Sequence, residues 1–211
     1  MDATMNTASD VLDISPVIPV IALDDPERAV PLARALARGG IRTVELTLRT
    51  PAGLPAIERV AAEVPEVVVG AGTITTSGEA DRAARAGARY LVTPGCTERL
   101  LDEVDGTGLP CLAGVSTVSE AMRLAERGAT AMKFFPAGPS GGTSYLRALA
   151  GPLPQLRFCP TGGVSEDNAA DYLALPNVGC VGGSWLTPGD LVRAGDWGQI
   201  EELARKAAAL R

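Results

Sequence analysis

Short apolar runs rich in Val, Ile and Leu alternate along the chain with longer Ala- and Arg-rich stretches of helical period, and Gly, Pro, Thr or Ser closes each apolar run. The apolar runs read as strands at 17–23, 41–48, 66–72, 88–93, 109–115, 129–135, 156–160 and 178–183. Between them lie helix patterns such as 26–40, which stops at the pair Gly39-Gly40, and 118–128, which stops at Gly128. A short helix over 7–14 precedes the first strand. Strands and helices alternating in this order predict an α/β fold around a parallel sheet. Eight repeats, each of about 20 to 25 residues, predict a (β/α)8 TIM barrel with a short N-terminal helix, and 211 residues is near the small end for that fold. An open doubly wound sheet is the alternative, although it commonly uses fewer strands and no GxGxxG follows the first strand.

In a barrel the chemistry collects at the C-terminal strand ends, so the polar residues there are read for function first. On the second strand Val44, Leu46 and Leu48 alternate with Thr43, Glu45, Thr47 and Arg49. Successive strand residues point to opposite faces, so the apolar set packs on helices and the polar set points into the barrel. On the sixth strand Ala131, Lys133 and Phe135 share one face and Thr130, Met132 and Phe134 the other. Both faces are nearly apolar there, and the period does not orient Lys133.

Bulk properties narrow the function classes. A chain of 211 residues, 46% hydrophobic, can bury a core as one domain over 1–211. A net charge of -6 without runs of like charge argues against a nucleic-acid partner, while a few local donors can still hold a phosphorylated small molecule. No apolar run approaches the ~20 residues that span a bilayer, and the N-terminal MDATMNTASD lacks the basic and apolar parts of a signal peptide. No membrane partner and a cytoplasmic location are therefore expected. Cys96, Cys111, Cys159 and Cys180 stand far apart without CxxC spacing and read as buried free thiols. The chain has no histidine, which removes the commonest general base and metal ligand. With no acidic cluster at the strand ends and no Walker or dinucleotide motif, neither a metal nor another cofactor is expected.

Of the 19 basic residues 17 are arginine, and the two lysines are Lys133 and Lys206. Lys133 stands inside AMKFFP, residues 131–136, where an unpaired ammonium costs several kcal/mol and the free amine is favoured. A lysine in such a setting is a nucleophile towards a ketone or aldehyde, a role closed to arginine, which keeps its proton. Glu45, on the inward face of its strand, is a candidate general base. Arg49, at the end of the same strand, can hold a carboxylate in two parallel hydrogen bonds. The bland readings are a Glu45-Lys133 ion pair, a Glu45-Arg49 pair along one strand face, or a lysine reaching to a strand end. Gly-rich turns close the third, seventh and eighth strands at 70–73, 161–164 and 182–185. The last two stand where barrels often bind phosphate, with Thr161 and Ser184 adding hydroxyls. Trp185 and Trp197 read as packing residues.

Seven segments carry a resemblance that runs over almost the whole chain: VELTLRT (44–50), VGAGT (69–73), LVTPG (91–95), GVSTVSE (114–120), MKFFPA (132–137), RFCPTGG (157–163) and GGSWL (182–186). Together they resemble the 2-keto-3-deoxy-6-phosphogluconate aldolase family, which includes bifunctional 4-hydroxy-2-oxoglutarate aldolases. The resemblance implies a class I, Schiff-base aldolase on a (β/α)8 barrel, commonly a homotrimer, yielding pyruvate and D-glyceraldehyde 3-phosphate in the Entner-Doudoroff pathway. It implies that Lys133 forms the Schiff base, Glu45 transfers protons, Arg49 and Thr73 bind pyruvate, and Phe135 lines the pyruvate pocket. It further implies that Pro94 and Thr161 shape substrate position and stereochemistry, and that Gly162, Gly163, Gly183 and Ser184 belong to phosphate-binding turns. Two alternatives stay open: an aldolase for the 6-phosphogalactonate epimer or mainly for 4-hydroxy-2-oxoglutarate, and a barrel that binds a phosphorylated sugar acid without turning it over.

Overall fold

The structure is a computed structural model that describes residues 6–76 and 78–210. The first five residues of the N-terminal stretch, Ser77 and Arg211 lie outside the described residues. In chain order the elements are α1 (Ala8–Leu12), β1 (Val17–Ile21), α2 (Ala29–Arg38), β2 (Thr43–Thr47), α3 (Gly53–Glu63), β3 (Val68–Gly72), α4 (Glu79–Arg85) and β4 (Tyr90–Val92). There follow α5 (Glu98–Gly106), β5 (Cys111–Leu112), β6 (Gly114–Val115), α6 (Val118–Glu126), β7 (Ala131–Phe134), α7 (Gly142–Leu149) and β8 (Arg157–Pro160). The chain closes with α8 (Ala169–Leu173), β9 (Val181–Gly183), α9 (Gly189–Ala194) and α10 (Trp197–Ala208).

Every predicted strand is present, shorter by up to three residues at an end, and all pairings are parallel. The strands form a curled parallel sheet in two parts: six strands in the order β5-β4-β3-β2-β1-β9, and three in the order β6-β7-β8. The ring of eight strands expected from the sequence thus stands as two ladders, because its fifth strand is split at Ala113 and the β8 and β9 segments are linked by isolated bridges, Phe158–Val178 and Thr161–Gly182, rather than by a ladder. A side chain causes the split. Thr93 Oγ1 accepts the Gly114 N–H at 3.1 Å, so the ladder with β4 ends at Leu112, and from Ala113 onward the chain pairs with β7.

Capping chemistry sets the helix bounds. The helix predicted over 26–40 is a 3-10 turn, Pro26–Arg28, led by Asp25, which accepts the Glu27 N–H, and then α2; the chain leaves α2 through Gly40 at φ 95°. Thr7 and Thr117 begin α1 and α6 with reciprocal capping boxes, closed by Asp10 and Glu120.

Two apolar clusters lie on either side of the sheet. The larger sits between strands and helices and takes Val44, Leu46, Met132, Phe134 and Phe158 from the strands, with Leu32 and Leu36 from α2. The smaller fills the interior of the curl with Ile18, Tyr90, Val92, Leu112, Ala131, Cys159 and Cys180. Val11 and Leu12 of α1, both fully buried, close the N-terminal end of that interior. Asp13, just beyond α1, ties this plug to β8 by accepting from both terminal nitrogens of Arg157 at 2.7 and 3.0 Å. The face assignment on β2 therefore holds, and the same division turns Ala131 inward and Met132 and Phe134 outward. Cys159 and Cys180 are buried, Cys96 and Cys111 half-buried, and none of the four is in a disulfide; burial pushes the Cys111 thiol up to about 12. Among the described residues no helix is long and apolar enough to cross a membrane.

Candidate active site

The inward faces of β2 and β7 meet in one contact. Lys133 Nζ lies 3.4 Å from Glu45 Oε1, and each side chain is only 3% exposed. Residues 88 positions apart are brought together because both occupy inward positions of a curled parallel sheet. The sheet makes room for the carboxylate by omitting a side chain on the neighbouring strand: a Cβ at Gly72 would stand 2.1 Å from Glu45 Oε1. The alternative Glu45-Arg49 ion pair is not found among the described residues; Arg49 Nε donates instead to Thr73 Oγ1 at 3.1 Å.

Beneath the pair is a supporting residue that the sequence reading missed. Tyr90 on β4 is fully buried, and its ring occupies the space where a Cβ on Gly70 would come within 2.2 Å of it. Its hydroxyl donates to the Val44 carbonyl at 2.9 Å, one residue before Glu45, and lies 3.0 Å from Thr43 Oγ1. Burial pushes its acidity well out of range, with the Glu45 charge acting in the same direction, so the hydroxyl remains a donor. The available signal was its inward period on β4, masked by the apolar run around it.

Above the pair, at the C-terminal strand ends, the predicted residues gather in smaller groups. The Phe135 ring centre is 5.2 Å from Lys133 Nζ, and the half-buried ring forms an apolar wall beside the amine. Gly162 packs on that ring, with a Cβ there 3.1 Å from Phe135 Cε2. The Phe135-Pro136 peptide bond is cis. Pro94 is half-buried over Gly114, and Thr93 Oγ1 donates to the Gly95 carbonyl at 2.6 Å to hold that turn. Thr161 bridges to Gly182 on the neighbouring chain segment, whose missing side chain leaves space for its hydroxyl.

Gly162 and Gly163 take φ 88° and 83°, values that suit glycine alone in a tight turn, and Asn168 Nδ2 donates to the Gly163 carbonyl at 3.0 Å. Trp185 packs on Gly183, where a Cβ would meet its ring at 1.8 Å, which supports the packing reading for this tryptophan. Ser184 is exposed and shares a cavity of about 270 Å³ with Arg49, Thr187, Asp24, Arg28 and Arg193. Gly162 and Gly163 do not line that cavity, although the Thr161–Gly182 bridge sets the two Gly-rich turns on neighbouring segments.

Thr73 carries the one positive φ found at a non-glycine position among the described residues, 60°. A β-branched side chain is disfavoured there by about 1–2 kcal/mol, yet this conformation aims its hydroxyl at Arg49. Thr73→Gly is expected to raise stability by about 1 kcal/mol in urea titration while lowering kcat/KM, because relief of strain and loss of the arginine's partner act on different readouts. Lower stability in this variant would show that the hydroxyl contact outweighs the strain.

The family model for KDPG and KHG aldolase matches residues 8–203. The chain is 48% identical over 203 residues to a 2-dehydro-3-deoxy-phosphogluconate aldolase of Pseudoalteromonas atlantica, covering 96% of this chain and 94% of that protein. It is also 48% identical over 201 residues to the KHG/KDPG aldolase of Escherichia coli K12, covering 95% and 94%. Among solved structures, the KDPG aldolase of Legionella pneumophila, with pyruvate captured at low pH as a covalent carbinolamine, superposes with a TM-score of 0.93 at 42% identity, covering 96% of this chain and 98% of that one. With a family model spanning most of its length and relatives of this identity and coverage, the chain belongs to the KDPG and KHG aldolase family.

Proposed function

We propose that the protein is a class I aldolase that cleaves 2-dehydro-3-deoxy-6-phosphogluconate to pyruvate and D-glyceraldehyde 3-phosphate, and also 4-hydroxy-2-oxoglutarate to pyruvate and glyoxylate. The observation that carries this reading is the buried Lys133–Glu45 contact at 3.4 Å, a nucleophile beside a base, with the Arg49–Thr73 pair just beyond the C-terminal ends of β2 and β3. The names of the relatives support the substrate class.

The geometry suits each proton movement. Transfer of a proton from Lys133 Nζ to Glu45 Oε1 leaves a free amine, whose lone pair attacks the C2 ketone. Glu45 returns that proton to the carbinolamine hydroxyl, which leaves as water and gives a protonated imine. That imine draws in the electrons of the C3–C4 bond as the C4 hydroxyl proton passes, through a water, to Glu45, and the aldehyde product leaves. The resulting enamine takes a proton at C3, and hydrolysis of the imine releases pyruvate and restores the lysine. Arg49 holds the substrate carboxylate throughout, which fixes orientation and lowers the entropic part of the barrier. Thr73 supports it by accepting the Nε–H, while Phe135 lines the pyruvate pocket and keeps the amine's surroundings apolar. Pro94 and Thr161 bound the C4 region, and the turns at Gly162-Gly163 and Gly183-Ser184 receive the distal phosphate.

Under the same proposal the two ladders complete a (β/α)8 barrel, one domain over 1–211. Supporting this, β5 and β6 belong to one run, and isolated parallel bridges Phe158–Val178 and Thr161–Gly182 link the β8 and β9 segments. The homotrimer implied by the resemblance is proposed as the assembly, and a light-scattering mass three times that of the chain is its test. A substrate with a phosphate ester crosses membranes poorly, which favours a cytoplasmic enzyme.

Pyruvate release, followed separately on the two phosphorylated C4 epimers and on 4-hydroxy-2-oxoglutarate, tests the activity. The gluconate-derived epimer is expected to turn over fastest. Preference for the galactonate-derived epimer would reassign the substrate, and no pyruvate from any of the three would end the aldolase reading.

A further inference from the structure

The mouth of the site has an unequal supply of charge. A phosphorylated 2-keto acid is anionic at both ends, yet the turns at Gly162-Gly163 and Gly183-Ser184 offer a phosphate only neutral N–H and O–H donors. Phosphate recognition is strengthened most by a guanidinium, which adds charge and a two-pronged donor geometry. The cavity that joins Arg49 to Ser184 contains two further arginines, Arg28 and Arg193.

Their local bonding separates them. Arg28 Nη1 donates to the Val192 carbonyl at 2.8 Å, and its Nε lies 3.5 Å from Asp25, so its fork is already occupied. Arg49 is turned to Thr73. Arg193, exposed on α9, makes no hydrogen bond or ion pair with any described residue. Its Nη1 lies close over Gly189, where a Cβ would approach it to 3.0 Å, which keeps the guanidinium beside the segment that follows Ser184. Two carboxylates line the same cavity. Asp25 is engaged by Arg28 and by the Glu27 N–H, whereas Asp24, exposed on the loop after β1, disfavours an anion on its own side.

We propose that Arg193 is the cationic anchor for the distal phosphate and sets the preference for phosphorylated over unphosphorylated 2-keto acids, an inference that rests on the aldolase reading above. Ser184 fixes the position of the phosphate, Arg193 neutralises it, and Arg49 keeps the carboxylate end. The two arginines thereby assign the two ends of one substrate.

The test compares kcat and KM for 2-dehydro-3-deoxy-6-phosphogluconate and for 4-hydroxy-2-oxoglutarate in the wild type, Arg193→Ala, Arg193→Lys and Arg147→Ala. Arg147, exposed on α7, serves as the control for net charge. Arg193→Ala is expected to raise KM for the phosphorylated substrate about ten-fold, equivalent to about 1.4 kcal/mol, while leaving kcat/KM for the unphosphorylated one within about two-fold. Arg193→Lys recovers part of the loss, and inorganic phosphate inhibits the wild type more strongly than Arg193→Ala. An unchanged KM, an equal loss on both substrates, or the same shift in Arg147→Ala would overturn the proposal. A wild type that releases pyruvate from neither substrate removes the aldolase reading itself, and this is seen before any variant is compared.

Discussion

Lys133→Arg is expected to abolish turnover, lowering kcat by at least about 10³-fold, while the protein stays folded. Replacing Lys133 with an apolar residue would leave Glu45 as an unpaired buried charge, at a cost of about 3–5 kcal/mol, and would confuse lost chemistry with lost structure. Arginine keeps a cation opposite Glu45 but presents no nucleophilic nitrogen, so the imine cannot form. The composition of the chain makes the complementary trapping experiment unusually clean, because Lys133 and Lys206 are its only lysines. Lys206 stands on α10, more than half exposed and 3.9 Å from Glu166, and has no part in the site. Borohydride reduction in the presence of pyruvate should therefore add one reduced pyruvate to the wild type, on the peptide containing Lys133, and nothing to Lys133→Arg. Lys206→Arg should label and turn over as the wild type does. An adduct on Lys206, or substantial turnover without Lys133, would exclude the proposed nucleophile.

The strands and the inward position of Glu45 were legible because the signal is local. On β2 polar and apolar residues alternate without interruption, so the period alone separates Thr43, Glu45 and Thr47 from Val44 and Leu46. Lys133 was legible as chemistry but not as geometry, since its strand is apolar on both faces. Its direction follows from the curl of the sheet, which turns Ala131 and Lys133 inward and leaves Met132 and Phe134 under the helices. The split of the fifth strand depends on a hydroxyl from another strand, Thr93, and no window within residues 109–115 contains that information. Tyr90 was hidden for a related reason: in an apolar run a tyrosine reads as packing, and its hydrogen bond to the Val44 carbonyl joins residues 46 positions apart. Arg193 belongs to a helix beyond the last strand, and only the fold puts it on the cavity with Ser184 and Arg49. Local patterning thus specifies which residues face inward, whereas the contacts between strands decide which inward residues act together.

Glu45→Gln should lower kcat by about 10²–10⁴-fold, the usual range for loss of a general acid–base group, without preventing capture of pyruvate by Lys133. The amide keeps the shape of the carboxylate in the space left open by Gly72, so the change isolates proton transfer from packing. Slow but complete borohydride labelling together with a large loss of kcat would place Glu45 in the proton transfers that follow nucleophilic attack as well as in activation of the amine. Turnover close to that of the wild type would remove Glu45 from the chemistry. The same pair gives a prediction on stability. Because the 3.4 Å contact is buried on both sides, Glu45→Gln and Lys133→Met each leave a partner poorly satisfied and should destabilise the protein, whereas the double variant removes both charges together. Urea titration of the four proteins should therefore show a double variant less destabilised than the sum of the singles, by about 0.5–3 kcal/mol. Additive losses would mean that the two groups do not interact directly in solution, and the proton could not then pass between them by the route the geometry offers.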